Sequence, residues 1–164
     1  MIKKLILPLC AALVCFAASA KQYSLLSPDG KLCVRVDVAQ TISYSVTHQN
    51  DTLIYPSTIS MDTDQGLFGV NAKVRKVLKN KVNETFDTPL YKRAKESDIC
   101  NELVLVCKGY NVIFRAYDEG VAYRFVSLYK TPVKVKAEKA EFNFSGDWNV
   151  FIPYARHDDA MPGD

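Results

Sequence analysis

Alternation with a period of two is the feature that most restricts how this chain can fold. Leu32, Val34, Val36 and Val38 alternate with Cys33, Arg35 and Asp37. That spacing puts the aliphatic set on one face of an extended strand and the polar set on the other. Ile42, Tyr44 and Val46 repeat the pattern against Ser43, Ser45 and Thr47, and the short link Ala39-Gln40-Thr41 makes the two runs a hairpin. Ahead of them Ser27-Pro28-Asp29-Gly30 reads as a turn, with Gly30 supplying a backbone conformation that other residues avoid. Asn50-Asp51 is a second turn. Leu53-Ile54-Tyr55 forms a third strand, which Pro56 stops or confines to an edge, because proline cannot donate to a ladder.

The best-patterned stretch is a meander. Leu103-Val104-Leu105-Val106-Cys107 leads into a turn at Lys108-Gly109-Tyr110-Asn111. Val112 to Tyr117 returns, Asp118-Glu119-Gly120 turns the chain again through Gly120, and Val121 to Val126 follows. Further short strands are expected over residues 133–137, 141–144 and 150–152. Residues 72–81 carry Lys73, Arg75, Lys76, Lys79 and Lys81. They read as one solvated strand face with Val74, and also Val77 and Leu78, turned inward, since lysines on exposed strands oppose edge pairing. Residues 82–101 hold no sustained period and read as a long loop or a poorly patterned strand pair. No helical stripe interrupts the series. Ten to twelve short antiparallel strands predict an all-β domain, a large antiparallel sandwich of two sheets packed face to face.

The first twenty residues stand apart. Lys3 and Lys4 precede the apolar run Leu5 to Ala17, which closes on Ala18-Ser19-Ala20. That order is a secretory signal peptide, and cleavage is expected after Ala20. The run falls short of the roughly 20 residues a membrane-spanning helix needs. Neither Cys10 nor Cys15 follows the small residues a lipid-attachment site requires. Residues 21–164 then form one domain in an exported, periplasmic protein. The formal charge of +3 drops to +1 once Lys3 and Lys4 are removed, which argues against nucleic acid as a partner. The three remaining cysteines, Cys33, Cys100 and Cys107, are an odd number, so at least one thiol stays unpaired or pairs between chains.

The chain is poor in recognisable chemistry. Glycosidic hydrolysis requires two carboxylates on either side of the scissile bond. Asp118 with Glu119 and Asp158 with Asp159 are adjacent pairs, and neighbours in an extended chain point in opposite directions. Asp118-Glu119-Gly120 is therefore read as a turn, as is Asp62-Thr63-Asp64, which lacks the later glutamate of a calcium loop. There is no Gly-x-Ser-x-Gly turn, phosphate loop or His-Glu-x-x-His. Of the two histidines, His48 ends a strand in solvent, and His157 stands in the polar tail Arg156-His157-Asp158-Asp159. That tail, with Tyr154 before it, suits a carbohydrate site or an interdomain seam, and equally a chain terminus. Tyr154, Arg156, His157 and Asp158 are the candidate contacts, and no catalytic or metal-ligating residue is assigned. Trp148 adjoins Val150-Phe151-Ile152 and is expected in the core.

Several phrases point to a family. Tyr23-Ser24-Leu25-Leu26-Ser27-Pro28-Asp29-Gly30-Lys31-Leu32 resembles the opening strand of the N-terminal domain of glycoside hydrolase family 97. Phe114-Arg115-Ala116-Tyr117-Asp118-Glu119-Gly120-Val121-Ala122-Tyr123-Arg124-Phe125 is similar to that family's aromatic-Arg strand, which turns through Asp-x-Gly into a Tyr-Arg-aromatic strand. Trp148 to Tyr154 resembles the segment that closes the domain. In the hairpin, Arg115 and Arg124 are expected to face each other or nearby acids, and Tyr117 is expected to pair with Tyr123.

The resemblance implies a galactose-mutarotase-like supersandwich that packs on a catalytic (β/α)8 barrel and helps close a carbohydrate pocket. It implies α-glucosides or α-galactosides as substrates and calcium in the full-length enzyme, with one glutamate ligand just after the segment matching Phe151 to Tyr154. The last glutamate here is Glu141, inside a strand-like run, so this chain is expected to bind no calcium by itself. The expectation is an inactive, C-terminally truncated front portion of an exported α-glycosidase, with poor solubility from an uncovered apolar face. A stand-alone carbohydrate-binding sandwich, with Tyr110, Tyr154 and Trp148 lining a groove, is the alternative. A mutarotase is suggested by architecture alone and ranks last.

Overall fold

A computed structural model describes residues 21–89, 94–149 and 151. Residues 1–20, 90–93, 150 and 152–164, and with them the expected signal peptide and the polar tail, lie outside the described residues. The described residues are all-β, with eleven strands in two antiparallel sheets. The first sheet has the order β1 (Lys21–Leu26), β2 (Leu32–Val38), β3 (Ile42–His48), β4 (Asp51–Thr63), β10 (Val135–Ala140). The short strands β5 (Gly66–Phe68) and β11 (Asn143–Phe144) also pair with β4. The second sheet is a plain meander of β6 (Lys76–Asp87), β7 (Lys95–Val106), β8 (Tyr110–Ala116) and β9 (Val121–Ser127).

The alternation read from the sequence decides which face is buried. Val34 and Val36 of β2, and Ile42 of β3, are fully buried. They meet Leu103, Leu105, Val112 and Phe114 of the opposite sheet in one core. Each such side chain contributes roughly 1.5–3 kcal/mol by leaving water. Aromatic rings fill the space between the sheets. Phe68 stacks on Tyr110 with centroids 4.3 Å apart, and Tyr44 lies 6.2 Å from Phe114 and 5.7 Å from Tyr123. Tyr110 is therefore a core residue and no groove wall. Its hydroxyl accepts the Gly69 N–H at 2.9 Å. Gly69 must be glycine: its φ is +83°, and an added Cβ would sit 2.6 Å from the Ile59 carbonyl oxygen.

Three local expectations are corrected and one open alternative is decided. Pro56 neither ends a strand nor lies at an edge. β4 runs through it, with β3 on one side and β11 on the other. The register passes from Tyr44↔Ser57 to Val46↔Ile54, so Tyr55 and Pro56 together oppose Ser45. A bulge of this kind is where a sheet interior tolerates a residue without an N–H. Second, of the two readings of residues 82–101 the strand pair is the one found. Lys76↔Val106 through Asp87↔Lys95 form one continuous ribbon. Third, Tyr117 and Tyr123 do not pair. Tyr123 lies opposite Phe114 on the core side, while Tyr117 joins Arg115 on the outer side. Fourth, Glu141 and Phe142 fall between β10 and β11, outside any strand.

Gly30 does adopt a positive φ, +75°, as its turn requires, whereas Gly120 does not and reverses the chain in an ordinary conformation.

Candidate interdomain face and polar clusters

The two turn phrases that stand out in the sequence meet in space. Ser27 Oγ and the Lys31 N–H both donate to Asp29 Oδ1, at 2.6 and 3.0 Å, and Lys31 Nζ lies 3.0 Å from its other oxygen. Those hydrogen bonds hold the Asp29 carboxyl well below the usual carboxylate range. The Asp29 N–H in turn donates to Asp118 Oδ1 at 2.8 Å. The Tyr117 N–H closes the second turn on the Gly120 oxygen at 2.8 Å. Asp118 thus spends a carboxylate oxygen tying one sheet to the other. The structural reading of Asp118-Glu119-Gly120 stands.

Arg115 finds its acids on the outer face of the second sheet. Its Nε donates to Glu102 Oε2 at 2.9 Å and its Nη1 to Asp98 Oδ2 at 2.8 Å. The Tyr117 hydroxyl donates to Asp98 Oδ1 at 3.0 Å, and Asn80 donates to Glu102 Oε1 at 3.1 Å. Each carboxylate oxygen has a donor, which is what a half-buried ion pair needs to offset its desolvation. Glu102 and Asp98 are consequently engaged and offer nothing to a metal ion. Arg124, the other arginine of the hairpin, has no carboxylate partner among the described residues. Burial raises the thiols of Cys100 and Cys107, so neither is an activated nucleophile. All three cysteines of the described residues are free. His48 ends β3, only partly exposed.

The third feature is apolar and exposed. Leu53, Ile54, Phe144, Trp148, Asn149 and Phe151 surround an open depression of about 520 Å³. Trp148 is 62 % exposed and Phe151 95 %, so the expectation that Trp148 packs in the core is wrong. A Cβ on Gly146 would come within 3.2 Å of the indole nitrogen, so the glycine lets the tryptophan fold back over the chain. Phe144 pairs with Ile54, which pairs with Val46. Phe144 and Ile54 therefore lie on the same face as the core, beyond the area the second sheet covers, while Leu53, next to Ile54 in β4, points to the other face. The alternation in residues 141–144 signals a buried strand equally well, so sequence alone could not separate Phe142 and Phe144 from the core. Tyr154, Arg156, His157 and Asp158 lie outside the described residues.

Comparison with known proteins gives this arrangement a context. The family model for the glycosyl-hydrolase 97 N-terminal domain matches residues 25–161. The chain belongs to that family. A retaining alpha-galactosidase of Bacteroides thetaiotaomicron is 34% identical over 150 residues, covering 90% of this chain and 23% of that protein. A glycoside hydrolase family 97 enzyme from Pseudoalteromonas sp. strain K8, solved in complex with panose, superposes with a TM-score of 0.62 at 26% identity over 75% of this chain and 20% of that one. A beta-arabinopyranosidase superposes with a TM-score of 0.65 at 28% identity over 74% of this chain and 21% of its own. The chain thus spans about a quarter of the curated relative. The expected family and two-sheet fold are both found.

Among the described residues no three His, Cys, Asp or Glu side chains gather where a metal ion could sit.

Proposed function

We propose that the chain is the non-catalytic N-terminal portion of an exported α-glycosidase acting on α-glucosides or α-galactosides. In this reading its apolar face packs on a catalytic (β/α)8 barrel and helps shape a carbohydrate pocket. The observation that carries it is the exposed depression around Leu53, Phe144 and Trp148. Exposed apolar ground continuous with a core is characteristic of a surface that another body covers. The carboxylates of Asp29, Asp98, Glu102 and Asp118 are committed to internal bonds, which agrees with the chemistry residing elsewhere. Calcium, in this reading, belongs to the longer enzyme, and Tyr154, Arg156, His157 and Asp158 are its candidate carbohydrate or interdomain contacts.

Trp148 is the sole tryptophan and reports on its own surroundings. The isolated 21–164 chain should emit at the wavelength of a hydrated indole. Fusion to the catalytic portion of a family relative should shift the emission to the blue, and the isolated chain should not hydrolyse an aryl α-glycoside. Unchanged emission in an active fusion would count against the interdomain reading. A second reading, a stand-alone carbohydrate-binding sandwich, is favoured by the exposure of Trp148 beside Phe144 and Phe151. A saturable fluorescence change of the isolated chain with millimolar maltose or melibiose would support it. Export is tested by the N-terminus of the mature protein, expected at Lys21.

A further inference from the structure

β9 closes the described part of the second sheet with a free edge, and hydrogen bonding shows which groups it offers. The Leu128 N–H donates to the Gly109 oxygen at 3.0 Å, and the Tyr117 N–H donates to the Gly120 oxygen. The register between them runs Asn111↔Val126, Ile113↔Arg124, Arg115↔Ala122. Bonded pairs alternate with non-bonded pairs in an antiparallel ladder. The even-numbered residues Ala122, Arg124 and Val126 therefore bond to β8. The odd-numbered Val121, Tyr123, Phe125 and Ser127 point their N–H and C=O groups away from it, with no described strand beyond.

The ground beside that edge is also uncovered. In the first sheet Ile59 and Met61 face the core, and their partners across the pairing are Ala140 and Glu138. Ala140 and Glu138 thus share the core face, yet every residue of β10 is exposed. The Glu138 charge reaches the Tyr123 phenol and, after burial, is the second influence raising its pKa. The core rings run out into the same space, from Tyr123 to Tyr44 to Phe142 to Phe144, at centroid spacings of 5.7, 6.4 and 6.4 Å. Phe142 and Phe144, at the end of that row, are about half exposed. An edge with free backbone groups, beside a trough floored by aromatic and apolar side chains, has the shape of one missing strand.

We propose that the free edge of β9 is a strand-docking site, and that its occupant is an extended segment of the polypeptide that follows this region in a longer protein. The inference rests on the reading that the chain is the front of such a protein, and the 23% coverage of the curated relative leaves ample sequence to supply the strand. The chemistry of the occupant follows from the edge. Apolar side chains at alternate positions lie over Ala140 and Phe142. The intervening side chain opposite Arg124 is a carboxylate, which gives that arginine the carboxylate partner it lacks among the described residues.

Residue-resolved amide hydrogen exchange tests this. In the 21–164 chain at low concentration, Tyr123 and Phe125 should exchange at least ten times faster than Arg124. In a chimera where this chain replaces the matched portion of the retaining alpha-galactosidase, the same two amides should slow at least tenfold. Alternating protection that is absent in the isolated chain overturns the free edge, whatever the chain's function. Protection that grows with protein concentration makes a second copy the occupant and overturns the proposal. An active chimera with Tyr123 and Phe125 still fast overturns it while leaving the glycosidase reading intact. Should the chimera not fold, strand-length peptides tiled over the relative's downstream sequence replace it. Protection of Tyr123 and Phe125 by one tile supports the proposal, and protection by none overturns it.

Discussion

Two groups of aromatic rings lie beside the first sheet and differ in exposure. Tyr44, Phe68, Tyr110 and Phe114 are buried between the sheets. Phe142 and Phe144, beyond the covered area, are about half exposed, and Trp148 and Phe151 after them more so. Residue type does not distinguish them. The difference is what lies opposite: Tyr44 and Phe68 of the first sheet meet Phe114 and Tyr110 of β8, whereas Phe142 and Phe144 are about half exposed, with no described strand over them. Burial here is a property of sheet overlap, which is a topological quantity that the local sequence does not encode.

Replacement of one ring from each group gives the largest contrast. Phe114→Ala should destabilise the isolated chain by about 3–5 kcal/mol, as truncation of a fully packed phenylalanine does. Trp148→Ala should change it by less than about 0.5 kcal/mol, as surface substitutions do. Urea unfolding followed by circular dichroism measures both. A costly Trp148→Ala would mean that the two groups are one core after all. In a fusion that buries the tryptophan, its cost should rise toward that of Phe114→Ala.

The outer face of the second sheet supplies a smaller effect. Arg115→Met leaves Glu102 and Asp98 without their shared partner in a half-buried setting, at a cost of about 1–3 kcal/mol. The double variant Arg115→Met/Glu102→Gln should be less unstable than the single one, because it removes a stranded charge. A double variant worse than the single would show that the cluster holds the sheet by packing.

Acid sensitivity tests the join between the covered and uncovered regions. Glu141 lies between β10 and β11 and accepts from the Thr58 N–H at 2.9 Å, with Lys139 Nζ 2.8 Å from its other oxygen. Those partners, Lys139 first, lower its pKa from 4.5 to about 2. A carboxyl depressed in the folded state adds stability above its unfolded value, and loses it as pH falls through the folded one. The thermal midpoint should therefore fall as pH drops from about 4.5 to about 2, and Glu141→Gln should flatten that part of the profile. An unaltered profile would make β10 and β11 independent of this contact.

The opposite end of the scale probes the covered rings. Burial raises the Tyr44 and Tyr110 phenols from 10.0 to about 12. The folded state favours their neutral forms, so this stability is whole below pH 10 and is lost as pH climbs toward 12. Ultraviolet titration should show two phenols ionising late and together with unfolding. Early ionisation of both would place Tyr110 on a surface.

The meander from Leu103 to Val126 was legible because β8 and β9 alternate between more and less buried positions, and β7 enters it as a continuous apolar run buried on both faces from Leu103 to Leu105. The β6–β7 ribbon was only half legible, as a loop or a strand pair, because its outer half is exposed on both faces and leaves no period to read. Pro56 misled because its bulge depends on Ser45 in a neighbouring strand. Trp148 misled because Val150-Phe151-Ile152 spells a buried strand, whereas Phe151 is not in a strand. The pairing of Arg115 with nearby acids was anticipated as one of two options, and the register of β7 against β8 selects it. Membership of the family was carried by phrases whose work is structural: the Asp29 turn and the Asp118 turn bond to each other across 89 residues.

The pairing of β4 has a consequence for the order in which the chain can be assembled. Its hairpin partner β3 is complete before it, but Val135↔Thr63 joins residues 72 positions apart. At synthesis rates of about 5–20 residues per second, roughly 4–14 s pass on the ribosome between the two. Throughout that interval a long strand in the middle of the finished sheet is an edge, and whatever escorts the nascent chain must keep it from finding the wrong neighbour.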